Sequence, residues 1–252
     1  MISFFRKIRQ KLLAQNRLTR YLTYAIGEIL LVTIGILIAL QINTWNEQRL
    51  NQKKEKSILE SLQLEFLNNR EKLQVIIQHH EAILGTTRDL MKLFNEPESV
   101  LKNYNLDSLI ERSIDFRSYN PSQSVIEDLI SSGNLDLISS ETMRKLIFEW
   151  GTETLQKVEN YNTLDETSQF LLIPYLMKKT SLKNIDRYGF LKWEEKSKFK
   201  SEPYKLFLDL EFENQLDNYA WGIVNYLQSL YILEEITDKI ISETNQVLLP
   251  EQ

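Results

Sequence analysis

The chain has 252 residues, 42% of them hydrophobic and 26% charged, with a formal net charge of -5, the balance of a folded chain and not of a disordered one. Cysteine is absent, which excludes disulfides and thiolate metal sites. The first twenty residues hold six basic side chains and no acid, so the remainder sets 24 basic against 35 acidic residues, a surface that argues against a nucleic-acid partner.

In that leader, residues 1–20, Ile2, Phe5, Ile8 and Leu12 recur at helical spacing among Arg6, Lys7, Arg9 and Lys11. This is the pattern of a basic helix lying on a membrane surface; a merely positive leader that orients the following segment fits it equally well. Residues 21–43, YLTYAIGEILLVTIGILIALQIN, read as one transmembrane helix. From Leu22 to Asn43 they extend about 33 Å at about 1.5 Å per residue, against a bilayer core of about 30 Å. Twelve Leu, Ile and Val favour insertion by about 5 kcal/mol, more than the cost of at most about 3 for Glu28. Tyr21 and Tyr24 at one end and Trp45 at the other stand where interfacial aromatics belong. The apolar run is too long for a cleaved signal peptide, and no small-x-small site follows Ile38. The excess of basic residues on the leader side predicts a cytoplasmic N-terminus, with residues 44–252 forming one domain on the far side; in a Gram-negative cell that means the inner membrane and a periplasmic domain.

The run YAIGEILLVTIGILIALQINTWNE resembles the N-terminal signature of an uncharacterised family of single-span envelope proteins from Bacteroidota, and the elements SVIEDLISSGNLDLIS and EFENQLDNY resemble later parts of it. The resemblance implies a bacterial envelope protein. It brings no activity and no catalytic residues.

Beyond the apolar segment the helical pattern continues. Leu59, Leu62, Phe66, Asn69, Leu73, Ile76, His80, Ile83, Thr87, Leu90 and Phe94 alternate three and four apart, predicting a seam on one helix from Tyr21 to Phe94, about 110 Å long if unbroken. Asn43 and Asn46 are the expected bend points. Pro97 ends that helix, and a short one over Leu106–Ile114 is expected behind the cap Asn105. Asn120-Pro121 should open a helix through Val125, Ile126, Leu129 and Ile130 that closes at Gly133, with Ser139 or Ser140 capping the next. From Glu141 the positions Met143, Leu146, Ile147, Trp150, Val158, Tyr161, Leu164, Leu171 and Leu172 predict a long helix to about Lys179, weakened at Gly151 and kinked at Pro174. Thr180–Pro203 reads as a loop with one turn of helix whose aromatics, Tyr188, Phe190, Trp193 and Phe199, pack on the bundle. Leu216, Tyr219, Ile223, Tyr226, Leu230, Leu233, Thr237, Ile240, Thr244 and Val247 mark a last long helix. The expected fold is therefore all-α: a transmembrane helix continuing into an extramembrane antiparallel bundle of long helices.

Few residues invite a functional reading. Tyr24, Glu28, Val32, Gly35 and Ala39 share one face of the apolar helix, and the small-xxx-small pair Gly35 and Ala39 makes it a candidate contact face for another span or a second copy. Glu28 either snorkels toward the headgroups, makes a polar contact in a helix assembly, or marks an ion path. His79 and His80 point about 100° apart on a helix, so His80 is expected on the seam, His79 in solvent, and no metal between them. Asn69, His80 and Thr87 read as register-setting polar positions. No Walker loop, GxSxG, HExxH or EF-hand loop occurs, and no cofactor or catalytic residue is expected. The expected role is a non-catalytic membrane-anchored scaffold or accessory subunit of an envelope assembly, with lipid and a membrane-protein partner or homo-oligomer as neighbours. A small-ligand sensor acting through a separate signalling partner is the alternative, and a membrane-anchored enzyme the least favoured.

Overall fold

The computed structural model describes residues 6, 7, 10 and 18–248; the leader helix expected through Ile2, Phe5, Ile8 and Leu12 lies outside them. The chain divides into two compact units, Met1–Lys56 and Ser57–Gln252. Helix α1, Leu18–Met91, contributes to both. In the first unit its Leu, Ile and Val residues from Leu22 to Ile42 are exposed, Leu31 to 74%, so none of the described residues covers them. The helix does not break at Asn43 or Asn46; their side chains bond to Glu47 and Arg49 instead.

The second unit is built on three long helices: the Ser57–Met91 part of α1, α5 (Glu141–Thr167) and α8 (Leu210–Leu248). No strand occurs among the described residues. The expected seam of α1 is the buried one, every position but Ile76 and Phe94 being inaccessible. On α8 the expected positions from Leu216 to Thr244 are all buried, while Val247 is exposed. Rungs from Gln63 to Asn245, Arg70 to Asp238, Gln74 to Glu234 and Glu81 to Tyr231 run α1 antiparallel to α8. Ser140 to Glu243 and Asn160 to Asn225 do the same for α5. Helices α1 and α5 are therefore parallel to each other, with Phe66 and Trp150 edge to face at 5.1 Å between them.

Two parallel helices require a connection that returns along the full length of the first. It starts with the single turn α2 (Glu98–Leu101) and with α3 (Leu106–Ile114), whose cap Asn105 accepts from Ser108 N–H as the sequence predicts. It then becomes an extended strap, residues 115–123, and ends in α4 (Ser124–Ser131) and a 3-10 turn. Gly133, at φ +70°, supplies the left-handed turn after α4. Helix α4 does not begin at Asn120-Pro121; it starts at Ser124, because its first N–H groups are satisfied from another helix, as described below. Ser140 caps α5 by accepting from Met143 N–H.

Pro174 is accommodated without ending the layer. Helix α5 passes into a π-turn, Ser168–Leu172, before α6 (Ile173–Lys179), so the wider turn relieves the donor and the space that proline denies an α-helix. After the one-turn helix α7 (Leu182–Ile185) and a 3-10 turn at Pro203–Leu208, Phe94, Tyr175, Phe207 and Phe212 close this end of the bundle with ring separations of 5.2 to 5.8 Å. Asn95 N–H donates to Phe207 C=O at 2.8 Å. The aromatics expected to pack from residues 180–203 do not: Tyr188, Phe190, Trp193 and Phe199 are exposed, on a loop held by its own bonds from Arg187 to the Trp193 and Glu194 carbonyls and from Ser197 N–H to Asn184.

Candidate functional site

The chemistry-bearing side chains of the second unit converge where the strap lies in the groove between α1, α5 and α8. A strap has no ladder of its own, so its N–H and C=O groups need partners if it is buried. Asn69 of α1 meets Ser122 twice, Nδ2 donating to Ser122 C=O and Oδ1 accepting from Ser122 N–H, both at 2.8 Å. Tyr119 is held at three points. Its N–H donates to the Tyr226 hydroxyl at 2.8 Å, its C=O accepts from Lys157 Nζ at 2.7 Å, and its own hydroxyl donates to Asn69 C=O at 3.2 Å. Arg117 N–H donates to His80 Nε2 at 3.3 Å. Glu65 accepts from Ser122 Oγ, Ser124 Oγ and Val125 N–H at 2.8, 2.5 and 3.2 Å. A carboxylate from α1 is thus the N-terminal cap of α4, in the position where the helix dipole favours negative charge.

The electrostatics follow from burial. His80 is inaccessible; desolvation brings its pKa down to about 4, against the smaller opposing effect of its bond to the Ile76 carbonyl. Its Nδ1 faces that carbonyl at 2.8 Å, so Nδ1 carries the proton and Nε2 is the acceptor for Arg117. The neutral tautomer is built into this set of bonds between strap and helices, the latch. Lys157 is 2% exposed, and no carboxylate stands within 4 Å of its ammonium among the described residues. Burial lowers its pKa. Burial likewise pushes the Tyr226 phenol up to about 12 and raises Tyr119 and Tyr219 further. Around these groups, rings pack at 5.0 Å (His80 and Tyr226), 5.4 Å (Tyr161 and Tyr226) and 6.0 Å (Phe116 and Tyr219). The Tyr219 hydroxyl is buried without a hydrogen bond.

Several expectations change here. His79 is not in solvent; its Nε2 bonds to the Asp115 carbonyl and lies 3.6 Å from that residue's carboxylate. Val158 is exposed and Lys157 takes the buried position, because α5 keeps its three-four alternation through Thr154 and Lys157 even though both are polar. Asn69 and His80 hold the strap, while Thr87 bonds back to Ile83 C=O in its own helix at 2.9 Å. Glu65, Lys157 and Tyr119 went unmarked in the sequence. The only signal for them is indirect: a carboxylate and an ammonium at positions that a strict seam would bury. No group of three or more metal-ligating side chains occurs among the described residues.

Tyr24 is half-buried and Glu28, Val32, Gly35 and Ala39 are exposed along one stripe of α1, with nothing within 4 Å of a Cβ placed on Gly35. The bundle also carries open surface clefts, one of about 590 Å3 between α1 and α8 lined by Glu81, Leu84, Arg88, Leu227 and Tyr231.

A family model described as "Family of unknown function (DUF6090)" matches residues 28–162. The chain belongs to this family. The match runs from Glu28 in the apolar segment through α4 and most of α5, so it contains Glu65, Asn69, His80, the strap and Lys157. It stops short of α8 and hence of Tyr219 and Tyr226. No curated protein and no solved structure matches the chain.

Proposed function

We propose that the chain is a non-catalytic, single-pass anchored scaffold or accessory subunit of a cell-envelope assembly, with its N-terminus in the cytoplasm, α1 crossing the inner membrane, and the bundle in the periplasm. The observation that carries this reading is the exposure of twelve Leu, Ile and Val side chains between Leu22 and Ile42, a surface that only lipid or another apolar helix satisfies. Interfacial aromatics and the basic leader support the anchor and its direction. The scaffold role is supported by the latch, whose buried polar groups are spent on holding the strap. Tyr24, Glu28, Val32, Gly35 and Ala39 form the face toward a membrane-protein partner or a second copy.

The test is purification of the tagged full-length protein from native membranes in mild detergent, followed by sizing and mass spectrometry. A stoichiometric second protein or a defined oligomer, lost in Gly35→Leu, is the expected result; a monomer that elutes alone overturns the reading. The cleft beside Tyr231 favours a second reading, a small-ligand sensor that signals through another protein, for which thermal stabilisation of the bundle by a periplasmic metabolite is the measurement.

A further inference from the structure

The loop between α7 and the following 3-10 turn is tightly built yet turns its aromatics outward. Its backbone folds on itself through Gly189 N–H and Lys192 N–H, both donating to Asp186 C=O. Arg187 bonds to the carbonyls of Trp193 and Glu194, Asn184 accepts from Ser197 N–H at 2.8 Å, and Ser201 ties back to Thr180 and Ser181. On this fixed frame Phe190 is 98% exposed and Phe199 86%, with Leu191, Trp193 and Tyr188 exposed beside them. A flexible loop would bury such groups by collapsing onto the bundle; this one is pinned so that it cannot.

Charge says what covers them. Residues 186–200 hold five basic side chains, four of them lysines, against three acidic ones, in a chain whose total is -5. Lys196 and Lys200 line, with Phe199, Tyr188 and the acids Asp107 and Glu202, an open cleft of about 620 Å3, Lys200 pairing with Glu202 at 3.3 Å. A protein partner's apolar surface would not require this excess of lysine, and a soluble polyanion would not require bare phenylalanine. An anionic bilayer surface answers both: rings enter the headgroup region while lysines on flexible stems meet phosphates. We propose that residues 186–200 are a second lipid contact, which docks the α7 end of the bundle onto a membrane surface rich in anionic lipid. It concerns a different part of the chain from the apolar segment.

The absence of cysteine allows the test to be made on the full chain, with a single thiol introduced at an exposed loop position. Leu191→Cys carries an environment-sensitive fluorophore, in protein held in neutral phosphatidylcholine nanodiscs. Vesicles of phosphatidylcholine with phosphatidylglycerol should capture the discs and blue-shift the probe, and vesicles of phosphatidylcholine alone should not. Neutralising Lys196 and Lys198 to Gln should weaken capture about fivefold for each charge, and F190S with F199S should abolish the blue shift. Equal capture by both vesicles, no capture, or capture indifferent to these variants overturns the proposal, as does pairing of discs without vesicles, which would make the occupant a second copy. Failure to enter nanodiscs would count against the anchor instead, and the same variants compared on vesicles directly would still decide the loop.

Discussion

Acid should unlatch the bundle through His80, and by a predictable amount. The imidazole is held neutral, accepting from Arg117 N–H at 3.3 Å and facing the Ile76 carbonyl through Nδ1. Protonation would place a second N–H against the Arg117 donor and a charge on a buried ring. With a pKa of about 4 in the folded chain against an ordinary 6.5, the unfolded state binds the proton first as pH falls. The contribution of His80 to stability is therefore complete above pH 6.5, declines between 6.5 and 4, and is gone below. The difference corresponds to about 3 kcal/mol. The assay is urea unfolding of the full chain in detergent across that range, followed by the fluorescence of Trp150, which is buried while Trp45, Trp193 and Trp221 are exposed. His80→Gln loses the ring contact with Tyr226 and should be less stable at neutral pH, yet its stability should fall less steeply between pH 6.5 and 4. Parallel curves for the two proteins would refute the assignment of the acid response to His80.

Glu65→Ala should cost about 2 kcal/mol, since three donors at the start of α4 lose a charged acceptor, and hydrogen exchange should show Val125 opening before the rest of α4. Gly222→Val should cost about 2 kcal/mol, because a Cβ there stands 3.1 Å from Leu164 Cδ1 and 3.5 Å from its Cα; a gain in melting temperature would refute that close approach. Gly151→Ala meets nothing within 4 Å and should stabilise α5 by about 0.7 kcal/mol, measured in the same unfolding experiment. Asn105→Ala should cost about 1 kcal/mol through the lost cap on α3, visible as a lower urea midpoint with an unchanged slope.

The long helices were legible because one side of each is dry, and burial at three-four spacing leaves its mark on residue type: the seams of α1 and α8 needed no structure. Caps were legible for the same local reason at Asn105 and Ser140. Helix α5 shows where this fails. Its apolar residues drift to Val158, but the groove there is lined by a carbonyl of the strap, and a lysine satisfies it where a valine would not. The strap was illegible for a related reason. Residues 115–123 have no periodicity to read, and the partners that make their burial tolerable lie on three helices, 36 to 107 positions away. The exposed aromatics of the α7 loop misled in the opposite sense, since their type signals burial and their place in the fold denies it.

The strap also sets an order of events. Tyr119 leaves the ribosome long before Tyr226, its partner 107 residues later, so the groove that receives the strap does not exist until α8 has been delivered. Contacts this distant in sequence form late and slowly, and until then the seams of α1 and α5 stand bare. The last helix thus acts as the closing piece of a clamp, and a chain halted before it would present unpaired strap amides and two apolar stripes to chaperones and proteases.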